Sequence, residues 1–310
     1  MSVTSSNAKP FVKWVGGKTQ LIPQLSKIIT DIFPYKIDNY VEPFIGGGAL
    51  FFWLKSLGKI ENAVISDINQ DLILTYIIVQ QQVQELIIEL SILQEKYLSL
   101  GDLDKELMYY DMRDSYNNLS NLLLYSDVTS HEAIVRASQF IFLNKTCFNG
   151  LYRQNNSGKF NVPFGKYKKP NICDVLNLSN CSKLLTGVTI CCNDFALTKS
   201  FIKRNTLVYL DPPYKPISKT SSFTKYHGKD FDDTDQIRLA RYYKEIDGLG
   251  AKIILSNSDP ASVDIENRFF DDLYHQFDIL RVNVTRTVSA AANSRKSVTE
   301  LIIKNKSLVV

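Results

Sequence analysis

One stretch decides the fold: residues 40–67, "YVEPFIGGGALFFWLKSLGKIENAVISD". A short apolar run ends at Phe44, three glycines follow, and "ALFFWLKSL" has the composition of a helix. A second apolar run, "NAVISDIN", then ends its strand at Asp67. The order strand, glycine turn, helix, strand predicts an α/β sheet, because a helix returns the chain to the start of the next strand.

The glycine turn predicts a ligand site. Phe44-x-Gly46-x-Gly48 follows a strand and opens a helix, so backbone can approach a nucleoside-bearing ligand closely. Asp67 lies 19 residues after Gly48, where an acid binds ribose hydroxyls in Rossmann-like sheets. The pyrophosphate fingerprint is incomplete, because Phe51 stands where glycine or alanine is needed. The combination favours a nucleoside cofactor such as S-adenosylmethionine; a purely structural turn is the alternative.

Helix signals dominate the middle of the chain. Apolar residues recur at three- and four-residue spacing from Leu72 to Leu100, which predicts one long amphipathic helix. Ser130 is the expected N-cap of another helix, and Asp233 with Gln236 would form the capping box of a later one. The apolar face of the helix after Ser130 is formed by Ala133, Ala137, Phe140 and Ile141.

Strand signals return in "GVTICCNDF", "NTLVYLDPPY" and "AKIILSNSD", and the residues from 277 to 305 predict an antiparallel pair. We therefore expect a catalytic α/β domain built from residues 1–75 and 171–310. A helical module is expected at 76–170 as an insertion into that domain.

Composition excludes several classes of site. The 310 residues carry a net charge of +4, five cysteines without a C-x-x-C pair, and three dispersed histidines. This argues against a disulfide framework, a zinc site and a Ser-His-Asp triad, so no metal is expected. No apolar run approaches the ~20 residues of a bilayer span, and the polar start is unlike a signal peptide. We expect a cytoplasmic protein that meets no membrane, in a reducing compartment that nucleic acid can enter.

The strongest chemical motif is "LVYLDPPYKP", residues 207–216. A buried strand delivers Asp211, Pro212, Pro213 and Tyr214 at its carboxyl end, where open α/β sheets bind ligands. The prolines stiffen the corner. The carboxylate and the Pro212 carbonyl can accept both N–H bonds of an exocyclic amino group while the tyrosine stacks on the planar base. A strand-ending turn with a surface aromatic is the alternative.

Two further stretches carry ambiguous signals. "FVKWVGGKTQL", residues 11–21, has the tail of a phosphate-binding loop, but Val12 stands where that loop needs glycine, which disfavours ATP. Asp194 ends the strand "GVTICCNDF". It can meet an adenine amino group or cap a helix, and the sequence leaves both alternatives open.

The segment of residues 144–170, hereafter the basic segment, contains six Lys/Arg, no acids and five aromatics. It predicts a β-hairpin that turns at residues 155–158. Cations without counter-charges contact phosphates, and interleaved aromatics offer stacking surfaces. Arg153 suits bidentate reading of guanine. A solvated cationic surface is the alternative.

Together these stretches resemble the Dam-type, D12-class DNA adenine-N6 methyltransferases, from Phe11 to about Lys304. The matching motifs are "KWVGGK", "EPFIGGGALFF", "SDIN", "FNGLYR", "GKFNVPFGKYKKP", "LDPPYKPIS" and "SSFTKYH". The resemblance implies a Rossmann-like S-adenosylmethionine-dependent methyltransferase sheet with an inserted helical target-recognition domain that carries the hairpin. It also implies that "GGK" belongs to the methyl-donor pocket.

Carried over onto this sequence, the resemblance and the motifs give the expected site. The expected cofactor-binding residues are Trp14, Lys18, Glu42, Phe44, Gly46, Gly48, Asp67, Asp194, Phe195 and Asp211. The expected catalytic residues are Asp211, Pro212, Pro213 and Tyr214. Bases are expected to meet Lys13, Leu151, Arg153 and Pro163. Phe148 or Asn149 would fill the gap left by the flipped adenine, and Phe223 or Tyr226 would close over it.

The implied activity is methyl transfer from S-adenosylmethionine to adenine N6 in duplex DNA after base flipping. The spacing between Arg153 and Pro163 fits relatives that recognise 5′-GATC-3′. Lys145 and Phe148 stand where some relatives carry arginine and tyrosine, and this departure bears on sequence preference at flanking positions. A cognate restriction endonuclease acting on the same site is a conceivable partner. Alternatives are transfer to cytosine N4 or RNA adenine, and a DNA-binding regulator that has lost catalysis.

Overall fold

The computed structural model describes residues 8–118, 127–216, 231–284 and 298–306. The strands in these ranges are β1 (Ile37–Glu42), β2 (Ile60–Asp67), β3 (Thr189–Cys192), β4 (Leu207–Leu210), β5 (Lys252–Ser258), β6 (Asp278–Val284) and β7 (Val298–Lys304). The α-helices are α1 (Ile22–Ile32), α2 (Ala49–Ser56), α3 (Gln70–Gln81), α4 (Val83–Ser99), α5 (Asp102–Asn118), α6 (His131–Thr146), α7 (Val175–Leu185), α8 (Asp233–Gly248) and α9 (Phe269–Leu273). Short 3₁₀ helices include Lys18–Leu21, Phe148–Gly150 and Phe195–Phe201.

The described strands form one sheet in the order β3-β2-β1-β4-β5-β7-β6. Strands β1 to β5 pair in parallel. Strand β7 runs antiparallel between β5 and β6. The predicted α/β sheet and the predicted antiparallel pair near residues 277–305 are therefore confirmed.

Both faces of the sheet are covered, as the alternation along β4 shows. Leu207 and Tyr209 pack into the core that contains α1, α2, α3 and α7. Val208 and Leu210 point to the opposite core, against α8. All four residues are buried, which is why this strand reads as a continuous apolar run.

The helical middle of the chain packs on α3. Helix α6 lies against α3, α4 and α5. Its Arg136 donates to both carboxylate oxygens of Asp71 on α3, and the Tyr116 hydroxyl of α5 donates to Asp71 at 2.6 Å. The predicted domain boundary at residue 75 lies inside α3, so the division of the chain stays a prediction.

The expected single helix from Leu72 to Leu100 is wrong in two respects. The helix breaks at Gln82, whose φ of −133° and ψ of 37° are not helical, so α3 and α4 are separate. Helix α3 is also buried on nearly all sides, including Asp71 and Thr75, because α6 and α7 cover the surface that an amphipathic helix would expose to water.

Two predicted helix starts have different outcomes. The Ser130 side chain accepts a hydrogen bond from the Ala133 N–H, so the predicted cap of α6 is confirmed. The cap of α8 is Asp232, which accepts from the N–H groups of Thr234 and Asp235, so the capping box predicted one residue later is wrong. No helix in the described ranges has the length and apolar character needed to cross a membrane.

Candidate active site

The carboxyl ends of three adjacent strands bring three acids to one edge of the sheet. Glu42 ends β1, Asp67 ends β2 and Asp211 follows β4. The chain leaves β1 for β2 on one side and returns to β4 on the other. This is the topological switch point at which open α/β sheets bind ligands.

Burial raises the pKa of all three carboxyls. Desolvation raises the pKa of Asp67 to about 6, although backbone N–H donors oppose the shift. Desolvation also raises the pKa of Asp211 to about 6, opposed by the ammonium of Lys18. The pKa of Glu42 lies well above its usual value because of burial, although a hydrogen bond from Tyr40 at 2.7 Å opposes the shift. A cationic ligand here would offset the cost of burying ionised carboxylates.

The glycine turn after β1 holds Asp67 and Trp14 together. The Gly46 N–H donates to Asp67 Oδ2 at 3.0 Å, and the Tyr76 hydroxyl donates to the Gly46 carbonyl at 3.1 Å. Gly46 has a φ of +45°, and an added Cβ would come within 2.6 Å of the Trp14 ring. Gly48, at φ +71°, similarly leaves room for the Tyr76 hydroxyl. The turn therefore requires glycine for both conformation and close approach.

An aromatic cluster lies beside this turn. The Phe44 ring is 5.3 Å from Phe195 and 5.9 Å from Phe231. Asp194 caps the 3₁₀ helix that starts at Phe195, and it accepts a bidentate ion pair from Arg238. The helix-cap alternative for Asp194 is thus observed, while its contact with an adenine amino group stays a prediction.

Lys18 lies between the catalytic candidates. Its ammonium is 2.9 Å from Asp211 Oδ1 and 4.2 Å from the centre of the Tyr214 ring. It also donates to the Gly16 carbonyl. The "GGK" stretch is therefore folded against the corner after β4, and the Lys18 ammonium occupies the space between the acid and the aromatic ring.

Residues 211–214, hereafter the ledge, are held by a buried network that the sequence did not reveal. Gln236 Nε2 donates to the Pro213 carbonyl at 3.1 Å, and its Oε1 accepts from Asn257 at 3.1 Å. Asn257 Oδ1 in turn accepts from the backbone N–H of Lys215 at 3.3 Å. The Ser258 hydroxyl donates to the Lys215 carbonyl at 2.6 Å. Asn257 and Ser258 lie at the carboxyl end of β5, and this position in the sequence could have identified them as site residues.

A second support comes from the far end of the chain. The Tyr214 hydroxyl donates to Glu300 Oε2 at 3.1 Å. Glu300 lies on β7, and no motif marks it. Its place opposite Tyr214 follows from the antiparallel register of β7 with β5, in which Glu300 pairs with Ser258.

The basic segment turns at the predicted residues without forming a regular ladder of strands. Two isolated antiparallel bridges join Gln154 to Phe160 and Cys147 to Phe164. The Asn155 N–H donates to the Lys159 carbonyl at 2.9 Å across the turn. A regular β-hairpin is therefore not shown, and the role of the segment in DNA recognition remains a proposal.

Arg153 is exposed and held in place. Its Nε donates to Asn161 Oδ1 at 2.8 Å, and its Nη2 donates to the Asn161 carbonyl at 3.2 Å. The guanidinium keeps further N–H groups for a ligand, since it has five donors. Sequence analysis missed Asn161, which lies across the turn from Arg153.

The expectation that interleaved aromatics offer stacking surfaces is wrong for most of the basic segment. Tyr152, Phe160 and Phe164 are buried. Phe164 packs against Tyr109 of α5 and Phe160 against Tyr116 of α5. The Tyr152 ring stacks on Trp14 with the ring centres 5.6 Å apart. Phe148, at 50 % exposure, remains available to a base. Buried residues alternate with more exposed ones from Phe160 to Phe164. This spacing of two is visible in the sequence and is typical of an extended chain that buries every second side chain.

The remaining predicted base contacts gather around Gly150. The Lys13 side chain packs against Gly150, and its ammonium lies 4.6 Å from the centre of the Tyr167 ring. Asn144 fixes the Lys13 backbone, accepting from its N–H at 2.7 Å and donating to its carbonyl at 2.8 Å. Asn149 has a φ of 56°, which turns the chain.

Phe148 and Pro163 lie side by side, because the Phe148 N–H donates to the Pro163 carbonyl at 2.9 Å. Leu151 is half-buried and donates to the Phe148 carbonyl at 3.3 Å. The structure thus brings Phe148, Leu151 and Pro163 together. Phe223 and Tyr226, predicted to cover the flipped base, lie outside the described residues.

Comparisons with known proteins show the family of the chain. The sequence profile of the D12 class N6 adenine-specific DNA methyltransferases matches residues 14–288. The type II methyltransferase M.MjaIII of Methanocaldococcus jannaschii is 46 % identical over 96 % of this chain and 99 % of its own length. The type II methyltransferase M1.LlaDCHI of Lactococcus lactis subsp. cremoris is 35 % identical over 96 % of each chain. The DNA adenine methylase of Haemophilus influenzae is 33 % identical over 95 % of this chain and 92 % of its own.

A sheet with its acids at the switch point, a basic segment beside it and this profile define a DNA methyltransferase. The chain belongs to the D12 class of N6 adenine-specific DNA methyltransferases. It is an adenine-specific enzyme, and the predicted family and reaction are confirmed at that level.

Proposed function

We propose that this enzyme transfers a methyl group from S-adenosylmethionine to N6 of an adenine flipped out of duplex DNA, within 5′-GATC-3′. The observation that carries the proposal is the ledge itself. Asp211 and Tyr214 lie at the switch point beside Asp67 and the glycine turn, so acceptor and donor sites would adjoin. The carboxylate there is available to accept a hydrogen bond at neutral pH, because its pKa is about 6.

The residues present fit the donor that the family implies. Asp67 offers carboxylate oxygens to ribose hydroxyls, and Phe44 with Phe195 offers a planar apolar wall to a purine. The desolvated carboxyls of Glu42 and Asp211 suit a cationic ligand. When bound, the donor would supply an electrophilic methyl group on a good leaving group.

The ledge would orient the acceptor. Asp211 and the Pro212 carbonyl accept the two N–H bonds of the adenine amino group, which leaves its lone pair free for attack. Tyr214 stacks on the base. With the donor bound, N6 would exchange a proton for the methyl group, and the Asp211 carboxylate would accept that proton. Positioning and electrostatics provide most of the acceleration, so no metal or covalent intermediate is required.

The basic segment would supply sequence recognition. Arg153 is exposed, oriented by Asn161 and free to offer two N–H groups to guanine O6 and N7. Pro163 lies beside Phe148 and the Lys13 side chain packs against Gly150, and Phe148 or Asn149 would fill the gap in the duplex. This arrangement supports a guanine-first site such as GATC.

The experiment is to express the chain in a host without DNA methylation and sequence the modified bases. The proposal expects N6-methyladenine at GATC and at no other motif. N4-methylcytosine would overturn the choice of acceptor, and N6-methyladenine in another motif would overturn GATC alone. Absence of modification with intact cofactor binding would support a regulator that has lost catalysis. The Asp211→Ala variant, expressed to the same level, controls for host enzymes.

A further inference from the structure

The hydroxyl group of Tyr214 in the ledge is hydrogen-bonded to Glu300, an acid far away in the sequence. The Tyr214 hydroxyl donates to Glu300 Oε2 at 3.1 Å, across 86 residues of sequence. Tyr214 is therefore attached at both ends, through its backbone beside Pro213 and through its hydroxyl. A ring held at both ends keeps its axis and can only rotate about it.

Glu300 stands on a rigid part of the sheet. Strand β7 pairs on one side with β5, where Glu300 lies opposite Ser258, and on the other with β6, where it lies opposite Val282. Both neighbours are antiparallel, so the Glu300 backbone is hydrogen-bonded within a three-stranded region. Sites built on strands position side chains more accurately than sites built on loops.

The hydroxyl remains a donor across the physiological range. Burial raises the pKa of Tyr214 well above its usual value, and the nearby carboxylates of Asp211 and Glu300 raise it further. One side of the ring faces the Lys18 ammonium at 4.2 Å. The ring is thus bounded by a cation over its face and an acid at its edge.

We propose that Glu300 is a positioning residue for methyl transfer, which holds the axis of the Tyr214 ring where the ring can stack on the target adenine. The inference rests on the proposed role of Tyr214 as the stacking surface. In this role Glu300 acts through the tyrosine, to which it is hydrogen-bonded. Stacking on a ring fixed in advance costs less ordering than stacking on one that must be immobilised in the complex.

The test combines Glu300→Ala, Glu300→Gln, Tyr214→Phe and the double variant Tyr214→Phe/Glu300→Ala. Single-turnover methyl transfer is measured on a duplex with one GATC site, at saturating cofactor. Loss of one orienting hydrogen bond should slow transfer about tenfold in Glu300→Ala and in Tyr214→Phe. Glu300→Gln keeps an acceptor oxygen and should recover to within about threefold of the unmodified enzyme. The double variant should be no slower than either single variant, since both remove the same contact.

A spectroscopic measurement separates positioning from general damage. With 2-aminopurine at the target position, weaker stacking on Tyr214 should raise fluorescence in Glu300→Ala, while the dissociation constant for cofactor stays unchanged. Asp278→Ala is the matched control, because Asp278 pairs with Lys304 on the same strand pair. That pair lies four residues along β7 from Glu300, or about 13 Å. The control should leave rate and fluorescence unchanged.

The inference and the proposed function fail in different ways. Additive losses in the double variant, or a Glu300→Gln variant as slow as Glu300→Ala, would overturn the role of Glu300 alone. If Tyr214→Ala abolishes transfer while Glu300→Ala leaves the rate of transfer unchanged, the role of Glu300 is likewise overturned and that of Tyr214 stands. Unchanged transfer in Tyr214→Ala would instead remove tyrosine stacking from the proposed function.

Discussion

The ledge and the basic segment differ in which side chains are exposed to water. At the ledge, charged and polar side chains are withdrawn from water and paired with neighbouring groups: Asp211 is 19 % exposed, and Lys18, which pairs with it, is 7 % exposed. In the basic segment, Tyr152, Phe160 and Phe164 are withdrawn and most of the cations remain exposed, with Arg153 hydrogen-bonded to Asn161. The first arrangement favours accurate chemistry on one small group. The second favours contact with a large anionic surface.

This difference has an energetic side. Burying ionised carboxylates costs free energy, and the raised pKa values of Asp67 and Asp211 record that cost. Exposed cations carry almost no such cost, and they gain free energy when they release counterions from DNA. We therefore expect ledge substitutions to lower the rate of transfer, and basic-segment substitutions to lower DNA affinity and discrimination.

The largest effect should come from Asp211→Ala. It removes the acceptor carboxylate, and single-turnover transfer should fall by at least about a thousandfold. Transfer of a labelled methyl group to DNA measures this, while circular dichroism confirms folding. The control is Asp272→Ala, which removes an exposed acid paired with Arg268. If Asp211→Ala kept a tenth of the activity, the ledge would not be the site of chemistry.

Next in size is Arg153→Ala, which tests the other region. Loss of a bidentate guanine contact should lower kcat/KM on GATC DNA about 10- to 100-fold and relax discrimination at that guanine. Competition between duplexes with and without the guanine measures discrimination. Lys159→Ala, an exposed neighbour in the same turn, should weaken binding to both duplexes equally. Retained discrimination in Arg153→Ala would assign base reading to another residue.

Gln236→Ala tests whether the hydrogen-bond network behind the ledge contributes to methyl transfer as well as to stability. The Pro213 carbonyl and the Asn257 amide would lose partners, so unfolding free energy should fall by about 1–3 kcal/mol and transfer by about tenfold. Urea denaturation and single-turnover rates check the two numbers. Arg241→Ala, on the exposed side of α8, should change neither. A destabilised variant with full activity would show that the network serves stability alone.

The smallest effect is a shift in pH dependence. Asp211 has a pKa raised to about 6, so activity that needs its carboxylate should be lost as the pH falls through 6. The Lys18 cation holds that pKa down, and Lys18→Met should therefore move the acidic limb upward by about one pH unit. The measurement is kcat against pH at saturating cofactor. An unmoved or lowered limb would mean that the ion pair does not govern this ionisation.

Much of the chemistry was predictable because it lies at strand ends. Asp67 and Asp211 follow apolar runs, and the parallel order of such strands brings their ends together. Contacts between residues that are far apart in the sequence could not be predicted from it. Glu300 meets Tyr214 only through the register of β7, and Gln236 turns inward because Asp232 takes the cap. The break at Gln82 also lacks a glycine or proline to mark it.

The position of β7 has a consequence for synthesis of the chain. Strand β5 is buried along almost its whole length, yet its neighbour on one side is β7, which leaves the ribosome only after β6. Until then the nascent chain carries an apolar strand with an open edge, a template for misassociation. Arrival of the later strand covers that edge and delivers Glu300 to the tyrosine in a single event.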